Sequence, residues 1–148
     1  GYQVTAVDSS YHMAAIARQN RGSSADQSPG YAVSDVLKTA FCDDAFDAVI
    51  CNRLFHHFFE KDIRRTALSE LARISKGPVV ISYYSTHCLD AVTFRIKNGL
   101  RGRKPTDRVP IPPSVLAQDA RASGLNVVRE IRSRSIVSMQ TYAVLEPL

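Results

Sequence analysis

The sequence predicts an α/β fold, an open and mostly parallel sheet with helices on both faces. Three observations predict it. Short β-rich segments alternate with stretches of helical periodicity along the chain. Residues 46–52 form a continuous apolar run that reads as a strand buried on both faces, and residues 79–84 read as the next buried strand. Three consecutive predicted strands end in Asp8, Asp35 and Asn52, at the edge where such sheets hold ligands.

Taken in order, residues 3–8 are β-rich and end at an acid. Ser9 or Ser10 caps a helix running to about Asn20, with Met13, Ile16 and Ala17 on one face. Residues 21–30 are a loop rich in Gly, Ser, Pro and Asp. Residues 31–35 form a short strand that again ends at an acid, and residues 36–44 form a loop with Asp43 and Asp44 as turn residues. After the strand at 46–52, residues 60–75 carry the clearest helical pattern. Ile63, Ala67, Leu68, Leu71, Ala72 and Ile74 line one stripe, while Arg64, Arg65, Glu70 and Arg73 are expected to face outward. Gly77 is expected as the C-cap, with Pro78 beyond it. The strand at 79–84 follows, then a helix at 88–98, a loop with Gly99, Gly102, Pro105 and Pro110, and a helix from Pro112 to about Ser123 that stops at Gly124. Residues 125–132 and 140–145 close the fold as two strands. The whole chain, residues 1–148, reads as one domain.

Composition excludes several classes. The chain is 45% hydrophobic and 22% charged, which is ordinary for a globular domain. No apolar run approaches the ~18 residues that cross a bilayer. The first residues lack a basic region followed by a long apolar core, so they do not read as a signal peptide. Cys42, Cys51 and Cys88 are widely spaced and odd in number, which argues against a disulfide framework or a zinc site. No metal is expected, and the cytoplasm is the expected location. Between Arg95 and Arg108 six basic residues stand against Asp107 alone, an excess equal to the net charge of +5. Such a segment attracts an anionic partner.

The strand ends carry the chemistry. A carboxylate has acceptor oxygens and no donor, so an acid such as Asp8 can accept hydrogen bonds from both hydroxyls of a ribose. A second acid one strand away, Asp35, can take the exocyclic amine of adenine, and the following N–H at Val36 can donate to the ring. Either acid alone also reads as a cap or turn residue. Together they describe an adenosine site.

Three segments carry a family resemblance. VTAVDSSYHMAAIAR, VSDVLKTAFCDDAFDAVICNRLFHHF and LSELARISKGPVVIS resemble the core of class I S-adenosylmethionine-dependent methyltransferases, with kin among small-molecule and lipid enzymes related to ubiquinone biosynthesis. The resemblance implies a Rossmann-like sheet and S-adenosylmethionine as cofactor. It assigns ribose to Asp8, the flanks of the adenosine to Ser9 and Met13, and adenine to Asp35 and Val36. Asn52 would lie near the methionine part and His57 near the methyl acceptor, with His56 or His57 as base where the acceptor must lose a proton. Residues 88–113 would form a cap on the substrate side, with Arg101, Arg103 and Lys104 meeting an anionic, small or lipid-like acceptor.

Two departures stand out. No G-x-G-x-G occurs, so the family's Gly-rich turn after its first strand is missing, and the chain reads as that topology truncated before the second strand. In the family the first strand lies between the second and the fourth. Upstream residues are therefore expected, and without them the strand ending at Asp8 should pair directly with the one ending at Asn52 or with another copy. Lys38-Thr39-Ala40 also stands where Leu-Pro is common.

Two other functions compete. A nicotinamide-dependent oxidoreductase also uses a strand-end Asp, but none of the six tyrosines has a Lys four residues on, as the short-chain type requires. A non-catalytic binding module would use the basic loop 95–108. Nucleic acid is not an expected partner, because only Phe94 lies near those charges to stack on bases.

Overall fold

The computed structural model describes residues 1–20, 30–86, 109–132 and 140–148. The helix expected at 88–98 and the basic stretch 95–108 fall outside them. The chain divides into two compact units, Gly1–Ala40 and Phe41–Leu148.

In the first unit, strand β1 (Thr5–Asp8) pairs in parallel with β2 (Gly30–Val33), in register from Thr5 with Gly30 to Asp8 with Val33. Helix α1 (Tyr11–Gln19) starts where Ser10 Oγ accepts the N–H of Met13 at 3.4 Å. One short helix cannot cover both faces of a two-stranded sheet. None of the residues of α1 is buried, and Val7, Met13 and Val33 are 44%, 51% and 49% exposed.

The second unit contains β3 (Val49–Cys51), a 3-10 turn (Phe55–His57), α2 (Lys61–Ile74), β4 (Val79–Tyr84), α3 (Pro113–Ala122), β5 (Leu125–Arg132) and β6 (Gln140–Pro147). Its sheet has the order β3-β4-β6-β5, parallel between β3 and β4 and antiparallel across the other two ladders. A bulge lies between Val127 and Arg129. The result is the mixed α/β fold that the alternation of elements predicts. Leu68, Leu71 and Ile74 from α2 are buried, as are Val79, Ile81 and Tyr83 from β4, Leu116 and Ala120 from α3, and Leu125 and Leu145 from the last two strands. Burying each large apolar side chain contributes ~1.5–3 kcal/mol.

Several expectations are corrected. Strand β3 is not buried on both faces: Cys51 is buried, but Ile50, pointing the opposite way, is 72% exposed. Gly77 does not cap α2 in a left-handed conformation, since Ser75 is the C-cap and Gly124, at φ +79°, is the described glycine with positive φ. Gly77 is required for space instead. A Cβ there would sit 2.6 Å from the Asp47 carbonyl oxygen.

The largest correction concerns Arg64 and Arg65, which do not both face outward. Arg64 is buried, and its Nε and Nη2 meet Asp119 Oδ2 at 2.9 and 2.8 Å. Arg65 Nε meets Asp119 Oδ1 at 2.9 Å. Asp119 is fully buried on α3, so helical periodicity in α2 could not reveal the charge that draws both arginines inward. At the other end of α2, Arg73 bonds Glu70 and Asp43 at 2.6 Å each. The N–H of Asp44 donates to the Arg73 carbonyl at 2.9 Å, which pins the preceding loop.

Removing one member of a buried charge cluster strands the others. Asp119→Ala is expected to cost about 3–5 kcal/mol of unfolding free energy, measured by urea titration. A loss under about 1 kcal/mol would show that the cluster is solvated. Gly77→Ala should cost about 1–3 kcal/mol by overpacking against a backbone oxygen, and an unchanged urea midpoint would refute that contact.

Candidate functional site

The first unit brings both acids to one end of its sheet. Asp8 closes β1, and its Oδ1 accepts the N–H of Ser10 at 2.8 Å, turning the chain into α1. Ser9 lies in that turn and is exposed. The N–H of Ser34 donates to the Asp8 carbonyl at 3.1 Å, which ties the exit of β2 to the end of β1. Asp35 is therefore not the last residue of its strand; β2 ends at Val33 and Asp35 lies in the turn beyond. Its Oδ1 accepts the N–H of Leu37 at 2.9 Å, and its carbonyl accepts the N–H of Lys38 at 3.2 Å. The loop that lacks a proline is thus closed by hydrogen bonds. Asp8 and Asp35 are both exposed, and each uses Oδ1 for its own turn. Val36 follows at the same end. Met13, on the first turn of α1, is exposed and is not core filling.

In the second unit the candidates gather where β3 and β4 end. Asn52 is exposed and directly follows β3. Ser82 of β4, 1% exposed, donates its hydroxyl proton to Asn52 Oδ1 at 2.9 Å and accepts the N–H of Arg53 at 2.6 Å. Arg53 has φ 59°, a left-handed conformation that non-glycine residues adopt sparingly and that this bond helps to hold.

The two histidines separate. His56 is buried in the 3-10 turn, its ring stacked on Tyr84 with centroids 4.2 Å apart and planes within 10°. His57 is exposed, its ring centroid 4.1 Å from that of His56. The pair stands before α2 and does not open it. The N–H of Val109 donates to the His56 carbonyl at 2.9 Å, and that of Ile111 to the Tyr84 carbonyl at 2.7 Å. Arg64 Nη1 donates to the carbonyls of Phe58 and Phe59 at 3.3 and 3.1 Å, so the buried charge cluster also holds the chain just after His57.

Other groups are structural. Burial pushes the Cys51 thiol up to about 12, which removes it as a nucleophile. Tyr83 is buried and donates to Glu130 at 2.6 Å; desolvation first, then that bond, raises its pKa above the usual tyrosine range. No group of His, Cys, Asp and Glu among the described residues could hold a metal ion. Arg101, Arg103 and Lys104 lie outside the described residues, as does most of the expected cap. Sequence reasoning missed Ser82 and Asp119. The one signal for Ser82 was a lone hydroxyl inside an apolar strand, and Asp119 gave none.

Residues 1–91 match the family described as Methyltransferase domain. No curated protein sequence matches the chain. Among solved structures, it is similar to magnesium protoporphyrin IX methyltransferase from Synechocystis PCC 6803 with bound SAH. That likeness has a TM-score of 0.81 and 16% identity, and covers 100% of this chain and 65% of that one. It is similar to a SAM-dependent methyltransferase from Methanosarcina mazei, with a TM-score of 0.76, 14% identity and coverage of 100% and 83%. It is also similar to a protein from Pyrococcus horikoshii OT3, with a TM-score of 0.74, 21% identity and coverage of 100% and 73%. At these identities the likeness shows the fold. The chain spans a little under two thirds of the first of these proteins, at 65%.

The buried thiol predicts an alkaline limit. Unfolded, Cys51 releases its proton near pH 9; folded, it keeps it to about 12. A folded pKa above the unfolded value contributes stability that is complete below pH 9 and lost as pH rises toward 12. Urea midpoints should therefore fall above pH 9, with Cys51→Ala flattening the first part of that fall. Iodoacetamide at pH 8 should label exposed Cys42 and spare Cys51 in the folded chain, as read by peptide mass spectrometry. Equal labelling would contradict the burial.

Proposed function

The chain belongs to the methyltransferase-domain family, and on that premise we propose that it transfers a methyl group from S-adenosylmethionine to a small-molecule or lipid-like acceptor. The observation that carries the reading is the pair of exposed carboxylates, Asp8 at the carboxyl end of β1 and Asp35 in the turn just beyond β2, its parallel neighbour. Their donor-free chemistry fits the hydroxyls and exocyclic amine of an adenosine. Each carboxylate is oriented by its own turn, and Oδ2 lies outside those turn bonds, so the pair needs little reorganisation to accept a ligand.

Asp8 takes the ribose and Asp35 the adenine amine, with Val36 supplying a backbone donor and Ser9 and Met13 flanking the ring. Asn52 meets the methionine part. The bound cofactor supplies a sulfonium-activated methyl carbon, so the chain's own residues contribute mainly alignment, worth up to about 7–11 kcal/mol. Of the two histidines, His57 is the exposed one, suited to take a proton from an acceptor. His56, stacked on Tyr84, supports the turn that presents it. The excess of basic residues between Arg95 and Arg108, Arg101, Arg103 and Lys104 included, supports an anionic acceptor on charge alone. No described helix is long and apolar enough to cross a membrane.

Calorimetric titration of S-adenosylhomocysteine tests the reading. Asp8→Ala should weaken binding about 10–100-fold and Asp35→Ala about tenfold, since bonds to a charged group are the strong ones. Asp47→Ala, at an exposed acid in the other unit, should change it less than about twofold. Equal losses from Asp8→Ala and Asp47→Ala would undo the ribose assignment. A folded chain that binds no adenosine ligand would favour a non-catalytic module using the basic residues 95–108.

A further inference from the structure

We propose that Arg53 anchors the methyl acceptor, its guanidinium binding an oxyanion (a carboxylate or a phosphate) that the acceptor carries. The proposal rests on the methyl-transfer reading above and deepens it, by naming a residue of the second unit that selects the acceptor's charge.

An exposed arginine without an ion pair is ordinary. Arg64, Arg65 and Arg73 are each held by carboxylates, whereas among the described residues none pairs with Arg53. What sets Arg53 apart is its backbone. Its φ of 59° is left-handed, where a Cβ crowds the following carbonyl oxygen and glycine is favoured. The other described non-glycine residue with positive φ is Asp44, and aspartate visits this region readily because its short side chain can bond nearby backbone. Arginine has no such compensation. The conformation is imposed on it by Ser82, buried on β4, whose Oγ accepts the Arg53 N–H at 2.6 Å. That bond uses only a backbone N–H, which glycine also supplies. Among the described residues, nothing that holds this turn calls for a guanidinium. A strained backbone carrying a side chain with no internal task marks a residue kept for a ligand at the expense of stability.

Its place fits that role. Arg53 is the second residue past β3, at the carboxyl end of the parallel pair β3 and β4, where open α/β sheets hold ligands. It is exposed, as is His57 at the far end of the 3-10 turn. A guanidinium is permanently charged, and its planar fork of donors matches two oxygens of a carboxylate or phosphate at once. Arg53 thus holds the acceptor through its anion, and His57, in the same short segment, takes the proton where one must leave.

The test is NMR titration of the chain at low ionic strength with three probes, benzoate, phenyl phosphate and neutral benzamide. Urea unfolding and calorimetric titration of S-adenosylhomocysteine accompany it. The unmodified chain should bind at least one of the two anions about tenfold more tightly than benzamide, with the Arg53 Nε–H signal shifting on binding. The tighter of the two identifies the oxyanion as carboxylate or phosphate. Arg53→Gly should weaken that binding about tenfold, keep or raise the urea midpoint, and leave affinity for S-adenosylhomocysteine within about twofold. Arg53→Lys, which keeps the charge and loses the fork, should weaken the anion about threefold. Benzamide bound as tightly as the anions overturns the proposal, and so does anion binding that survives Arg53→Gly. A urea midpoint lowered by Arg53→Gly also overturns it, because the side chain then serves the fold through its stem. A chain that binds S-adenosylhomocysteine but no anion at Arg53 overturns the proposal and leaves the methyl-transfer reading intact. A folded chain that binds the anion at Arg53 and no S-adenosylhomocysteine removes that reading, and the acceptor role falls with it.

Discussion

Strand β4 must find hydrogen-bond partners along both edges, because its backbone is buried and an unpaired buried N–H or C=O costs as much as a lost bond. It finds β3 on one side and β6 on the other. At its end the N–H of Ile111 closes on the Tyr84 carbonyl, which brings the chain back to the sheet before α3. Alternation along this strand does the rest. Ile81 and Tyr83 enter the core on one face. Ser82 and Tyr84 on the other meet Asn52 and His56. The polar groups of the second unit are thus set out from one central strand.

The buried cluster of Asp119, Arg64 and Arg65 is a second constraint of a different kind. Replacing a buried ion pair by apolar groups is often neutral or stabilising, so its presence is weak evidence for stability as such. Its geometry has another effect. Asp119 joins α3 to α2, and Ser123 Oγ donates to the carbonyls of Arg65 and Asp119 at 3.1 and 3.0 Å. Arg64 then spends its remaining donor on the carbonyls of Phe58 and Phe59. One charge cluster therefore fixes both a helix pair and the segment that follows His57.

The first unit works by smaller means. Its two strands and one helix bury little, so the placement of Asp8 and Asp35 rests on local turn bonds and the parallel register of β1 with β2. This is an economical way to aim carboxylates, because the oxygen that bonds the turn also fixes the direction of the other. Exposed Val7, Met13 and Val33 accompany this arrangement, as does exposed Ile50 on β3. Apolar strands of this kind are read as doubly buried from sequence, and burial is a property of what packs on them.

By itself the sequence determined the α/β class and the order of the strands and helices among the described residues. These follow from short-range periodicity, and strand residues 79–84 and 125–132 match their predicted bounds. Only the tertiary structure decided that Arg64 turns inward, that Gly77 serves clearance and not a cap, that His56 is buried while His57 is exposed, and that Ser82 orients Asn52. Each of these depends on a partner distant in sequence: Asp119 for Arg64, Asp47 for Gly77, Tyr84 for His56, and the β3–β4 ladder for Ser82. A one-dimensional pattern records which side of an element a residue occupies. What waits on that side, a charge, a carbonyl or an aromatic ring, is set by the packing of other elements.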